Sequence, residues 1–296
     1  MSEWNNSIPK VAFIGGDSRQ KYAAEYIAGE GFRVELWGSE KNDGRSLDSA
    51  LKGAFAVVLP LPTTTDGVRL NSESPIRLSE LFEKLAHADR APLIFGARLN
   101  EAFISEASSR GLYAIDYYDN EDLQIRNAVP TAEGAVFLAM QRLGRTIYGS
   151  RIAITGYGRI GKTLSRLLRA MGAEVTVAAR RQSDLVFAEI ENCSTLQIVN
   201  DKITDSLLPL CSGYDVIFNT VPCRIFDDAV ISEMQKCTCL IELASAPGGF
   251  DLASIKKHEL TVIHGAALPG RYAPVSAGKI IAQTLLRLFR TEGIIP

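Results

Sequence analysis

The sequence predicts an α/β protein built from two doubly wound parallel sheets, and three observations predict it. Short apolar runs rich in Val, Ile and Phe alternate with helical patterns along the chain, the rhythm of strands joined by helical crossovers. At 296 residues the chain exceeds what one ordinary core holds, so two domains of about 130 to 160 residues are expected. In the middle, the apolar run Arg151-Ile-Ala-Ile-Thr155 enters Gly156-Tyr157-Gly158-Arg159-Ile160-Gly161 and then an amphipathic helix. That context makes the second domain a Rossmann dinucleotide-binding domain.

In the first half, strands are expected at 10–14, 33–37, 55–59, 92–95 and 112–115, with helical patterns between them. Ligands of such sheets gather beyond the carboxyl ends of the strands. The residues to read are therefore 15–20, 60–65, 96–98 and Asp116. Gly15-Gly16-Asp17 has the look of a second nucleotide turn but lacks its third glycine, and a carboxylate at Asp17 would repel a pyrophosphate. Asp17 reads either as a helix N-cap or as a substrate contact, with Arg19 and Gln20 in the first turn beside a site suited to a small anion. Residues 116–125 are acidic and polar, a hinge candidate. Pro130 with Thr131 and Glu133 then predicts a helix start, continued through Met140 and Leu143. The division expected is a substrate-side domain over 1–128 and the dinucleotide domain over 129–296. A last helix, apolar in pattern over 275–289 and ending by 292, can return to the first domain and close a clamp over a cleft.

In the glycine turn each position has its own reason. Gly156 permits the tight turn, Gly158 lets the backbone approach the phosphates, Gly161 allows close packing of helix on strand, and the helix N-terminus offers free N–H groups to the anion. Ile160, Leu164, Leu167, Leu168 and Met171 fall at helical spacing, and a second strand follows at 174–179. An NAD site usually places an acid at the end of that strand to hold the ribose 2′-OH, whereas an NADP site uses Arg on the 2′-phosphate. The chain reads Ala179-Arg180-Arg181-Gln182-Ser183 there. Two guanidiniums suit a phosphate dianion, the plain alternative being a solvated basic turn, and the reading is NADP(H). Further strands are expected at 196–199, 216–218, 238–243 and 261–264. Small polar turns close two of them, Asn219-Thr220-Val221-Pro222 and Ala244-Ser245 onward, where the nicotinamide half of a dinucleotide usually rests. Leu268, after the last strand, completes the expected cofactor contacts.

Composition limits the rest. Hydrophobic residues make up 46% and charged residues 22%, the balance of a soluble globular protein. Lys plus Arg 32 against Asp plus Glu 34 leaves a formal charge of -2, which gives nucleic-acid or membrane-surface binding no electrostatic support. The polar start Met-Ser-Glu-Trp-Asn-Asn is no signal peptide and no apolar run approaches a membrane span, so a cytoplasmic protein is expected. Cys193, Cys211, Cys223, Cys237 and Cys239 form no C-x-x-C pair and read as reduced thiols. With only His87, His258 and His264 beside them, no metal site is expected.

Taken together the motifs resemble the dipicolinate synthase A-subunit family of spore-forming bacteria. The resemblance rests on Gly-Gly-Asp-Ser-Arg-Gln at 15–20, Pro-Thr-Ala-Glu-Gly at 130–134, Gly-Tyr-Gly-Arg-Ile-Gly at 156–161, Ala-Arg at 179–180, Asn-Thr-Val-Pro at 219–222, Ala-Ser-Ala-Pro-Gly-Gly-Phe-Asp at 244–251 and Leu-Pro-Gly-Arg-Tyr-Ala-Pro at 268–274. It implies domains arranged as in D-2-hydroxy-acid dehydrogenases and adenosylhomocysteinase. It also implies an oxidoreductase that converts a dihydro- or hydroxytetrahydro-dipicolinate to dipicolinate with NADP+ during sporulation, beside a flavoprotein-like B subunit, in a homo- or hetero-oligomer. The chain departs from the family pattern at Ala246, where a basic residue is expected, and at Arg271, where relatives can carry an apolar one, so neither is read as a family-wide substrate clamp.

Such chemistry needs a placed nicotinamide, a base for the proton lost as the ring aromatises, and partners for two carboxylates. Arg19 with Thr63, Thr64 and Thr65, and a helix start at Thr131, are the expected carboxylate partners. For proton transfer the candidates are Glu133, His264 and Asp17 in falling order, each with a plain alternative: a helix-dipole partner, a strand-end histidine and a cap. The competing readings are a tightly bound cofactor used for transient oxidation, for which no Lys and Asp pairing is evident, and a non-catalytic NADP-binding subunit supporting its partner.

Overall fold

The computed structural model describes residues 8–39, 46–74 and 76–295. The chain divides into two compact units, Met1–Asn127 with Ala273–Pro296, and Ala128–Tyr272.

In the first unit the strands are β1 (Lys10–Ile14), β2 (Arg33–Trp37), β3 (Ala56–Val58), β4 (Leu93–Gly96) and β5 (Ala114–Asp116), all parallel, in the order β2-β1-β3-β4-β5. Helices α1 (Ser18–Gly29), α2 (Leu47–Leu51), α3 (Leu78–Ala86) and α4 (Glu101–Ser109) connect them. The run Lys-Val-Ala-Phe-Ile is buried throughout because both faces of β1 are covered, which is what an unbroken apolar strand predicts. Val11 and Phe13 enter one core, Ala12 and Ile14 the opposite one.

Helix α5 (Glu121–Leu143) carries the chain into the second unit. There follow β6 (Arg151–Thr155), α6 (Arg159–Ala170), β7 (Glu174–Ala179), α7 (Gln182–Ile190), β8 (Ser194–Gln197), α8 (Ile203–Leu207), β9 (Val216–Asn219), α9 (Asp228–Ser232), β10 (Cys239–Glu242), α10 (Leu252–Lys257), β11 (Val262–His264) and α11 (Leu268–Tyr272). The sheet is parallel with the order β11-β10-β9-β6-β7-β8, the doubly wound order of a dinucleotide domain. Strand order reverses between β1 and β3 in the first unit and between β6 and β9 in the second, and those two switch points are where ligands of such sheets bind.

Three expectations change. No helix starts at Pro130: α5 begins at Glu121 and runs through the proline, so Thr131 is an interior helical residue and the supposed hinge is a short 3-10 turn followed by helix. A proline inside a helix removes one backbone donor, here the partner of the Arg126 carbonyl, and the flanking turns carry the helix across. The second unit ends at Tyr272 and not at 296: the last helix, α12 (Pro274–Thr291), belongs to the first unit, the return to that domain which its apolar pattern allows. Its Gly278 allows the approach to α1: a Cβ there would lie 2.7 Å from the Arg19 carbonyl. Its Phe289 is fully buried, with ring centroids 5.0 Å from Phe95 and 5.8 Å from Phe32 and Phe55, a burial contributing roughly 1.5–3 kcal/mol. Finally, β8 lies two residues earlier than its apolar pattern suggests, because as an edge strand it is held by its pairing with β7, Thr176 opposite Ser194, and not by burial.

Candidate cofactor and substrate site

The glycine turn joins β6 to α6 at the switch point of the second sheet. Gly156 sits at φ +90, and a side chain there would run into Thr220 and Val221 of the loop after β9. At Gly161 a Cβ would strike the Gly156 carbonyl, so helix and turn touch only because neither carries a side chain. Gly158 differs: its backbone is extended, it needs no left-handed conformation, and nothing lies within 4 Å of where its Cβ would be. It is also the N-cap of α6 and makes no side-chain cap bond, so the start of the helix is left open to an anion. The turn therefore fits a dinucleotide pyrophosphate. Tyr157 and Ile160 pack into the core, burial raising the Tyr157 hydroxyl, so the backbone and not these side chains lines the turn. Arg159 is exposed in the first helical turn.

Beyond β7 the two arginines part company. Arg181 is held by Asp184, Nε donating to Oδ2 at 2.8 Å and Nη2 to Oδ1 at 3.1 Å. That pairing raises the Arg181 guanidinium above its ordinary value. Arg180 is exposed and has no side-chain partner among the described residues. Ala179 is buried at the end of its strand and offers only backbone.

The loops after β9 and β10 are joined by a buried network. Asn219 accepts the Thr155 hydroxyl at 2.7 Å and the Val221 amide at 3.1 Å, and its Nδ2 donates to Glu242 at 2.7 Å and to the Val221 carbonyl at 3.0 Å. The Glu242 carboxylate also accepts the amides of Ala244 at 2.9 Å and Gly249 at 2.6 Å. Thr220 donates to the Thr155 carbonyl at 2.8 Å. Pro222 and Ser245 are exposed at the tips of these loops. Leu268, expected at the cofactor, is fully buried against Gly134 of α5 and Gly265 and presents no surface to a ligand. Glu133 and His264 are both exposed, and each precedes a glycine that packs on Leu268.

At the switch point of the first unit, Asp17 caps α1 by accepting the Arg19 amide at 3.0 Å. It also holds the Arg19 side chain, Nε at 2.9 and 3.1 Å from its two oxygens and Nη2 at 2.8 Å. Arg19 donates further to the Leu61 carbonyl, and its side chain is 9% exposed. The guanidinium expected to meet a substrate carboxylate is thus an internal strut. Thr63 is fully buried, its hydroxyl donating to the Pro60 carbonyl and accepting the Ala97 amide. Thr64 serves the loop through Asp66 and Gly67, and only Thr65 is exposed. Thr131, buried inside α5, is not at a helix N-terminus and has no free amides to offer. Asp116, a strand-end residue to which the sequence assigns no role, accepts the amides of Arg98, Leu99 and Tyr118 at 3.2, 2.6 and 2.7 Å and holds Arg98 at φ +56. Burial raises the Asp116 carboxyl. Glu242 was missed, though an acid closing the apolar run Cys239-Leu-Ile-Glu242 was the signal for it.

Residues 10–118 match the N-terminal domain of the dipicolinate synthase A subunit, and residues 131–248 match the NAD binding domain of D-isomer specific 2-hydroxyacid dehydrogenases. The dipicolinate synthase A subunit of Bacillus subtilis (strain 168) is 30% identical across 94% of this chain and 95% of its own length. The chain belongs to the dipicolinate synthase A-subunit family. A crystal structure of the family from Bacillus halodurans superposes with a TM-score of 0.82 at 27% identity, over 95% of this chain and 97% of that one. D-lactate dehydrogenase from Treponema pallidum, 14% identical, shares the fold with a TM-score of 0.63 over 96% of this chain and 97% of its own. The family and its dehydrogenase-type domain make the chain an oxidoreductase that uses a nicotinamide dinucleotide. Among the described residues no helix is long and apolar enough to cross a membrane.

Proposed function

We propose that this chain converts a dihydro- or hydroxytetrahydro-dipicolinate to dipicolinate with NADP+ as hydride acceptor, in sporulation, beside a flavoprotein-like second subunit. The observation that carries the reading is an open pyrophosphate turn leading to an unpaired Arg180, in a chain of the dipicolinate synthase A-subunit family. NADP+ bound at the turn supplies the hydride acceptor. The α6 amides and the bare Gly158 hold its pyrophosphate, and Arg180 meets the 2′-phosphate through charge-assisted bonds. The Asn219–Pro222 and Ala244–Ser245 loops border the other half. The Asp17 carboxylate is taken up by Arg19, which leaves Glu133 and His264 as the free acid–base groups for the proton lost on aromatisation.

One observation favours a second reading. With Arg19 spent on Asp17 and Leu61, the first unit offers no free guanidinium from α1 to a dicarboxylate, as would suit an NADP-binding subunit whose partner completes the substrate site. Incubating the purified chain with NADP+ and the dihydro or hydroxytetrahydro acid, with and without the partner, separates the two. NADPH and dipicolinate formed by the chain alone support the first reading, and turnover only with the partner supports the second. A chain that binds neither NADP+ nor NAD+ overturns both.

A further inference from the structure

We infer that Glu242 is a positioning residue, a latch that sets the two loops bordering the nicotinamide half of the dinucleotide site. The inference rests on the dinucleotide reading of the second unit and extends it to a residue that touches no ligand.

A dinucleotide lying across the switch point has its adenosine ribose at the end of β7, where Arg180 stands, and its other nucleotide over the ends of β9 and β10. Past Asn219, the last residue of β9, the segments Thr220–Pro222 and Ala244–Gly249 leave the sheet, and apart from Val221, which packs on the core, they carry few large side chains to fix them. Backbone bonds already join the two sides, the Leu243 amide to the Asn219 carbonyl at 2.8 Å and the Ile225 and Phe226 amides to the Gly249 carbonyl at 3.0 Å, and one carboxylate adds the side-chain tie between the loops. Glu242 is 6% exposed, and every neighbour that it bonds is a donor: Oε1 accepts Asn219 Nδ2 at 2.7 Å and the Ala244 amide at 2.9 Å, and Oε2 accepts the Gly249 amide at 2.6 Å. Asn219 passes the restraint on to β6 through the Thr155 hydroxyl and to its own loop through both backbone groups of Val221. Val221 and Thr220 lie where a Gly156 side chain would be, so the latch ends against the pyrophosphate turn. The glycines at 248 and 249 complete the fit. A Cβ at Gly248 would come within 3.0 Å of Glu242 Oε2, and one at Gly249 would collide with the Asn219 amide.

A glutamine of the same size cannot replace this carboxylate. Its NH₂ must face either the Gly249 amide or the Asn219 and Ala244 donors, and each orientation opposes donor to donor. Glu242→Gln therefore breaks the side-chain tie between the two loops while leaving their backbone bonds and the core volume unchanged.

The test uses the purified full chain and a pair of ligands for each phosphate form: NADP+ with adenosine 2′,5′-bisphosphate, and NAD+ with AMP. Titration calorimetry on the parent and on Glu242→Gln should show the dinucleotide weakened by about tenfold or more, as losing one charge-assisted bond implies, with the adenosine fragment held within about twofold. Asn219→Ala, which cuts the same latch from its other side, should show the same split, and in both variants the rise in KM for the dinucleotide should exceed any fall in kcat. Equal weakening of dinucleotide and fragment, no change in either, or loss of cooperative melting in both variants overturns the latch and assigns Glu242 to the fold alone. A parent chain that binds neither dinucleotide overturns the dinucleotide reading itself, and the latch with it.

Discussion

Arg180 and Arg181 stand side by side in sequence but in different electrostatic situations, and replacing each with alanine should separate them. Arg181 is satisfied by a bidentate bond to Asp184, so pulling it onto a phosphate means giving up one charge-assisted pair for another, with little net gain. Arg180 has no pair among the described residues to give up. A guanidinium bond to a phosphate contributes roughly 1.5–3 kcal/mol, so Arg180→Ala should weaken NADPH by about 10- to 100-fold and leave NADH almost unchanged. Arg181→Ala should change NADPH by no more than about threefold. Asp184→Asn, which releases Arg181 without moving it, should tighten NADPH and make its affinity more sensitive to salt. Fluorescence titration of NADPH and NADH into the four proteins at two ionic strengths reads all of this. Equal curves for the two cofactors in the parent, or a larger loss from Arg181→Ala than from Arg180→Ala, would refute the reasoning.

Gly158→Val fills open space at an ordinary extended backbone; it should melt within a few degrees of the parent yet lose dinucleotide-induced stabilisation, and a variant still stabilised by NADPH would place the site elsewhere. Arg19→Ala should lower stability by on the order of 1–3 kcal/mol, because it strands the Leu61 carbonyl and one face of Asp17. Arg19→Lys should recover little of that loss, since one ammonium cannot reproduce the fork, while NADPH affinity stays at the parent value in both; denaturant melts and cofactor titration check this. Burial pushes the Cys211 and Cys239 thiols up to about 11 and also raises Cys193. A thiol reagent at neutral pH should therefore label only the exposed Cys223 and Cys237 in the native chain. NADP+ should protect Cys223, next to Pro222, and leave Cys237 reactive, as peptide mapping would show.

The second unit was largely legible because its signals are local. A glycine turn between an apolar strand and an amphipathic helix admits few structures, and the strand-end arginines follow from counting along the chain. The parts that were missed depend on partners far apart in sequence or on burial. Asp17 and Arg19 are two residues apart, and only the buried setting near Leu61 turns a cap and a nearby cation into a closed pair. Thr131 misled because Pro130 is as good a start signal as an interior helical proline is a poor one, and the choice was made by the preceding turns from Glu121 onward. Glu242 bonds Asn219, 23 residues away, a pairing that becomes visible only once β9 and β10 are neighbours in the sheet.

The two switch points are thus finished in opposite ways. In the second unit the turn is left open: Gly158 is bare, no side chain caps α6, and the acid that could have neutralised the strand-end cations, Asp184, is spent on one of them only. In the first unit the strand-end groups satisfy one another, Asp17 with Arg19, Arg19 with Leu61, and Thr63 with Pro60 and Ala97. Binding an anion at the second site leaves the Arg181–Asp184 pair in place, whereas binding one at Arg19 means breaking a bidentate pair whose guanidinium is buried and whose carboxylate is half-exposed. That asymmetry is why cofactor affinity should survive changes at the Asp17–Arg19 pair, and why a dicarboxylate that does bind the first unit must be met by groups other than the Arg19 guanidinium.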